Sequence, residues 1–180
     1  MAARAGMMLG RARRGLLGGA LLALLLASPA RALEQPGGKV VLTISGTLKT
    51  PNRQAQGDAL AAFDMAMLAS LPQHSFTTRT PWYPGPRKFT GPLLRDVLAA
   101  AGAQGKTVEA IAINDYKVSI PVEDTQRHPV LLARLMDDQP MALRDKGPLF
   151  IIYPFDADAQ LRSSIYYSRS AWQLKALAVR

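Results

Sequence analysis

Hydrophobic and polar positions alternate, cluster and break along this chain in a way that predicts a mixture of short strands and short helices. Near the start, an apolar, leucine-rich run from Leu16 to Ala27 is interrupted only by Gly18 and Gly19. Lys39–Ser45 is β-branched and apolar and predicts a strand ended by Gly46. From Asp58 to Leu71, the residues Leu60, Phe63, Met67 and Leu71 recur at three- and four-residue steps, which predicts a helix stopped by Pro72. Ser75–Thr80 is threonine-rich and predicts a strand. Thr80–Arg87 carries Pro81, Pro84, Gly85 and Pro86 around Trp82 and Tyr83 and predicts a loop. A second helix is expected with Thr90 or Gly91 as its cap, Pro92 in the first turn and Gly102 beyond its end; Leu94, Val97, Leu98 and Ala101 form its apolar face.

The second half reads more like a sheet. Thr107–Ile113 and Tyr116–Ile120 predict a strand pair turning at Asn114-Asp115. Val130–Met136 is apolar and fits either a strand or a short helix. Asp137-Asp138-Gln139 and Asp145-Lys146-Gly147-Pro148 predict turns. Leu149–Tyr153 predicts a buried strand, Pro154–Ser170 a polar irregular stretch, and Trp172–Val179 the closing strand. The fold class expected is α+β: a single compact mixed-sheet domain with a few short helices.

The first apolar run has a different meaning. It follows Arg4, Arg11, Arg13 and Arg14, and no acidic residue stands before Glu34. It is shorter than the roughly 18–20 residues needed to span a bilayer. Pro29 and Ala30-Arg31-Ala32 then fit a signal-peptidase site. Residues 1–32 are therefore expected to be a cleavable signal peptide, with an uncleaved anchor as the alternative, and residues 33–180 the mature domain. The expected location is periplasmic or secreted, with no membrane span after cleavage. Arg13-Arg14 admits the twin-arginine route; the leucine-rich run, and the lack of Ser or Thr just before the pair, favour the general secretory one.

Removing the leader changes the charge. The whole chain carries +9; five arginines (Arg4, Arg11, Arg13, Arg14 and Arg31) lie in the leader, and +9 less 5 leaves +4 on the remainder. The remaining cations are scattered rather than interleaved with aromatics, so no nucleic acid is expected as a partner. The chain has no cysteine, which removes thiolate catalysis, Cys-zinc sites and iron–sulfur clusters.

Candidate chemistry is sparse elsewhere. His74 and His128 lack metal-ligand spacing, Ser163, Ser164 and Ser168 lack a nucleophile elbow, and Asp137-Asp138 belongs to a turn. No catalytic and no metal-ligating residue is assigned. Three loops do concentrate arginine, lysine and aromatic residues: Arg79, Trp82, Tyr83 and Arg87 in the first; Asn114, Asp115 and Tyr116 in the second; Arg144 and Lys146 in the third. Guanidinium forks and aromatic faces together suit a small anionic or planar ligand. These nine residues form the candidate ligand site.

Four segments carry a family resemblance. KFTGPLLRDVLAAAG (Lys88–Gly102) resembles the "W-x-G-v-x-L-x-d-L-L" helix start of the sulfite-oxidase-like oxidoreductase molybdopterin-binding domain. AINDYKVSIPVED (Ala112–Asp124) resembles its "DGY…siPl" strand pair, PVLLARLMDDQPMALRDKGPLFIIYP (Pro129–Pro154) its "vlLAy…nGepL…hG-PlRlvvP" stretch, and Trp172–Val179 its closing tryptophan strand. The match runs in order over most of Thr77 to Arg180 and implies that fold and, as cofactor, molybdopterin.

Family members that do oxidoreductase chemistry hold molybdenum with a cysteine just upstream of the W-x-G segment. Here that region reads SFTTRTPWYPGPRKFTG, with Thr77, Thr78 and Thr80 instead. A threonine hydroxyl is a hard neutral donor where the family uses a soft anionic one. The histidine-and-arginine set that meets the pterin in relatives is not reproduced either. Three functions follow. The first is an exported non-catalytic binding, sensory or accessory domain, with a small ligand or a membrane-bound signalling or redox partner. The second is a molybdopterin-dependent oxidoreductase, or a subunit of one, without a protein thiolate. The third is a structural protein with no small ligand. The missing thiolate ranks the first above the second.

Overall fold

A computed structural model describes residues 1, 2 and 32–180; the expected leader lies almost wholly outside the described residues. Arg31–Arg180 forms one compact unit. Among the described residues no helix is long and apolar enough to cross a membrane.

The central strand is β1 (Val40–Ser45), where Leu42 and Ile44 alternate into the core. β2 (Thr47–Leu48) pairs far along the chain with β7 (Ala103–Gln104). β3 (Arg53–Ala55) and β4 (Asp58–Asp64) form a hairpin turned at Gln56 and Gly57, both with positive φ, and β4 runs antiparallel to β1. Helix α1 covers only Met65–Ser70. The first half of the expected Asp58–Leu71 helix is thus a strand. The Gln56-Gly57 turn sets up the hairpin, and the Asp64 carboxylate accepts from the Met67 amide, so the helix starts seven residues later than its apolar spacing implies.

Asp64 also accepts from the Gly38 amide. These two amides, Met67 first, hold its carboxyl below the ordinary value of 3.8. A carboxylate whose folded pKa is depressed adds stability above its unfolded pKa and loses it as pH falls through the folded value. The melting temperature is therefore expected to drop on acidification below about pH 4, and to drop less steeply in Asp64→Asn; equal slopes in a pH series of thermal melts would refute this.

β5 (Gln73–Arg79) and β6 (Pro86–Pro92) form a long hairpin around the proline-rich loop. Helix α2 (Leu94–Ala100) follows, with Leu94, Val97, Leu98 and Ala101 buried as expected. Its start is corrected: Thr90, Gly91 and Pro92 belong to β6, because the 130–134 segment bonds along that strand, with Leu94 N–H to Val130 O at 2.8 Å and Arg134 N–H to Thr90 O at 2.9 Å.

β8 (Thr107–Ala112) and β9 (Lys117–Pro121) make the expected antiparallel pair, and α3 (Val122–Arg127) comes next. The apolar stretch after Pro129 resolves into strands β10 (Leu131–Ala133) and β11 (Leu135–Met136). β12 (Gln139–Pro140) turns back on β11 through Asp137 and Asp138, both left-handed. A 3-10 turn (Leu143–Asp145) leads to β13 (Phe150–Ile152), which pairs with β10. The stretch expected to be irregular contains a second 3-10 turn (Ala159–Leu161) and helix α4 (Ser164–Arg169). β14 (Leu174–Val179) closes the chain's fold.

The larger sheet has the order β3-β4-β1-β14-β8-β9, with β1 and β14 parallel and the other pairs antiparallel. The smaller has the order β12-β11-β6-β5. A register shift between Leu174 and Ala176 lets Leu174 and Leu177, three apart, both point inward. One core of leucine, isoleucine, valine and aromatic side chains fills the domain. The α+β mixed-sheet class expected from the sequence is the one observed.

Candidate functional site

Trp82, on the loop between β5 and β6, packs its ring 5.5 Å from Phe150, 6.0 Å from Tyr167 and 5.4 Å from Trp172, centroid to centroid. These are edge and tilted contacts, the arrangement that aromatic quadrupoles favour. The ring is half-buried. One part of it anchors the core, and another faces a cleft of about 370 Å³ lined also by Ala112, Asn114, Tyr116, Tyr167, Ser168, Ser170, Ala171 and Trp172.

The Asn114 turn reaches this cleft through local chemistry. The Asn114 side chain accepts from the Tyr116 amide at 3.2 Å, Asp115 adopts φ 64°, and Ala112 and Tyr116 close the backbone at 2.9 Å. Lys175 lies 2.6 Å from the Asp115 carboxylate, and the hydrogen bond and charge it supplies lower that carboxyl's pKa. Tyr116 is 50% exposed, and its ring lines the cleft rather than the core.

The third loop arrives by a different route. The Tyr83 hydroxyl donates to the Asp145 carbonyl at 3.0 Å, and Gln173 donates through its amide nitrogens to Lys146 O and Leu143 O. Burial, and then the charge of Asp145, push the Tyr83 hydroxyl up to about 12. The Lys146 ammonium sits 4.3 Å from the Trp172 ring centroid, within cation–π range. Trp82, Asn114 and Tyr116 thus line one cleft, and Tyr83 and Lys146 stand beside it through Trp172.

The three arginines expected to offer forks are held elsewhere. Arg87 pairs with Asp137 at 2.8 Å, Arg79 lies 3.6 Å from Asp156, and Arg144 contacts its neighbour Asp145 at 3.5 Å while 88% exposed. None of them lines the cleft. Asp115 faces Lys175. Conversely, sequence reasoning missed Tyr167, Ser168, Ser170 and Ala171. The signal for them was the Tyr166-Tyr167 pair inside a stretch whose polarity hid a helix.

α4 is held from below by a buried network. The Tyr153 hydroxyl donates to Asp124 at 2.9 Å, and Arg169, the last residue of α4, bonds the same carboxylate oxygen at 2.8 Å. Tyr153 is fully buried and its hydroxyl pKa is raised, by burial first and the Asp124 charge second.

A molybdenum centre would need soft donors in the β5–β6 stretch. Thr78, in the stretch where the family resemblance places a cysteine, is buried, and its hydroxyl accepts from the Asp156 amide at 3.0 Å. The sequence holds no thiol, and among the described residues no group of three or more His, Cys, Asp or Glu side chains could hold a metal. These residues do not fit a thiolate-ligated metal.

Residues 54–156 match the family model described as oxidoreductase molybdopterin binding domain. No curated protein gives a significant match. Among solved structures the fold is similar to the sulfane dehydrogenase SoxCD from Paracoccus pantotrophus, with a TM-score of 0.56 and 16% identity over 77% of this chain. The chain spans 37% of that protein's chain, and at this identity the likeness is one of fold.

Proposed function

The chain belongs to the oxidoreductase molybdopterin-binding domain family, and on that premise we propose that it is an exported, non-catalytic binding or accessory member whose cleft takes a small planar, anionic ligand. The observation that carries this reading is the cleft itself: rings of Trp82, Tyr116, Tyr167 and Trp172 form its walls, and the Asn114 side-chain amide offers N–H donors among them, the Ser168 and Ser170 hydroxyls being bonded to the Ile165 and Tyr166 carbonyls. Aromatic walls with a few convergent polar groups bury a flat ring and fix its orientation. The Lys146 ammonium beside Trp172 supports a negative charge on the ligand. The absent thiolate supports a role without redox chemistry at a metal.

The family match favours a second reading, a molybdopterin-dependent oxidoreductase or subunit that keeps the cofactor without a protein ligand. One purification separates the two. Protein taken from the periplasm is expected to have the mass of a chain beginning at Leu33 and to contain no stoichiometric molybdenum. About one metal per chain, with pterin absorbance, would promote the oxidoreductase, and an unprocessed membrane-retained chain would remove the export.

Ligand binding has its own test. Titration with flat aromatic carboxylates, indole-3-carboxylate among them, is expected to quench tryptophan fluorescence. Trp82→Ala should weaken that binding by about fivefold or more, because stacking on one ring contributes roughly 1–3 kcal/mol. No binding by the parent protein would defeat the reading.

A further inference from the structure

Beyond residue 2, the exposed large hydrophobic side chains among the described residues are Ile113, Tyr116, Leu143 and Ile165. Tyr116 lines the cleft, Ile113 and Ile165 lie on segments that form it, and Leu143 is bonded to a residue beside it. Ile113 and Tyr116 flank Asn114 in the turn that forms one side. Leu143 joins Ile113 through a single residue: Gln173 accepts the Ile113 amide on its backbone oxygen and donates from its side chain to Leu143 O, both at 2.8 Å. Ile165 lies on α4 three residues before Ser168, whose hydroxyl bonds the Ile165 carbonyl at 2.8 Å, so it shares a helix face with a cleft-lining residue. Scattered exposed leucines or isoleucines need no explanation, whereas four gathered at one mouth mark an interaction surface.

The charges at this mouth choose the occupant. Lys175 is neutralised by Asp115. Lys146 has no carboxylate partner among the described residues and rests over Trp172 and Tyr83, and Arg144 is 88% exposed with only its neighbour Asp145 at 3.5 Å. An apolar rim, an aromatic socket and a half-buried lysine with no carboxylate partner, with the exposed Arg144 in the same loop, complement an aromatic anchor carried between carboxylates.

We infer that the cleft and its rim dock a segment of a partner protein that inserts an aromatic side chain flanked by acidic residues. This rests on the cleft being a binding site, as proposed above, and adds that its occupant is presented by a protein.

The test uses the mature protein, its Ile165→Asp variant and three probes: an acetylated heptapeptide with a central tryptophan between glutamates, the same peptide with lysines, and free indole-3-carboxylate. Binding is followed by calorimetry and by amide chemical shifts. The acidic peptide is expected to bind at least tenfold tighter than the basic one at low salt and to shift Ile113, Leu143 and Ile165. Ile165→Asp should weaken the acidic peptide at least tenfold and leave the free indole unchanged. If the free indole binds and neither peptide does, or if Ile165→Asp weakens both probes alike, docking is overturned while the small-ligand reading stands. If both peptides bind equally, the acidic partner is overturned. If no probe binds, both readings fall. Self-association of the parent protein that Ile165→Asp abolishes would overturn the inference in favour of a second copy.

Discussion

Replacing Gly91 with alanine is expected to destabilise the domain by about 3 kcal/mol or more, the upper end of what overpacking costs. A Cβ built there would lie 2.1 Å from the Leu132 carbonyl oxygen and 2.9 Å from the Ala133 Cα. Both obstacles are backbone, so no rotamer change can relieve them. Nor can the strands part cheaply: Leu94 and Arg134 tie β6 to the 130–134 segment on either side of Gly91, and β5 pairs along the opposite edge of β6. At roughly 2–4 °C per kcal/mol for a domain of this size, the melting temperature should fall by about 10 °C. Gly37→Ala, with nothing within 4 Å of its Cβ, serves as the neutral control. A Gly91→Ala protein that melts with the parent would show that β6 and β10 do not approach as described.

The second large effect is expected at Asp124. Alanine there leaves the Arg169 guanidinium and the buried Tyr153 hydroxyl without the acceptor they share. Breaking a buried ion pair from one side costs about 3–5 kcal/mol, more than the pair's net worth, because a charge is stranded. Tyr153→Phe should cost only about 1 kcal/mol, since the ion pair survives. The double change Asp124→Leu with Arg169→Met should be milder than Asp124→Ala, because it strands no charge. Arg169 stands between Ser168 and Ser170, both cleft-lining, so Asp124→Ala should also weaken indole-3-carboxylate in the folded fraction. Chemical denaturation of the three variants checks the order, and a loss below about 1 kcal/mol in Asp124→Ala would remove the network from the account of α4.

The parts of this fold that could be read from sequence are those whose local pattern and tertiary environment agree. β1, β8, β9 and β14 alternate or run apolar and are strands; α2 buries the four residues its spacing selects. Reading failed where a helical spacing arose across a boundary. Leu60 and Phe63 belong to a strand, Met67 to the helix after it, and Asp64 at the junction does the capping. Gly91 and Pro92 carry a helix-start signature, yet the glycine is required by the carbonyl of Leu132, 41 residues away in sequence (132 − 91). The site was half legible for the same kind of reason. Asn114 and Tyr116 follow from turn chemistry and Trp82 from its loop, but the arginines drew attention by residue type alone: Arg79 and Arg87 meet carboxylates from distant segments, and Arg144 contacts its own neighbour Asp145. α4 has no apolar stripe to announce it, since Tyr166 and Tyr167 face inward while Ile165 stays in solvent.

The parallel pairing of β1 with β14 shapes how the chain folds as it is synthesised. Ile44 lies beside Leu177, and β14 separates β1 from β8 in the middle of the larger sheet. A nascent chain issuing N-terminus first therefore has a slot at its centre until residues 174–179 emerge. Until then β1 and β8 each present an unpaired edge, and the helices have no finished surface to settle on. So remote a contact must wait for nearly the whole chain, and the domain closes late and as a unit.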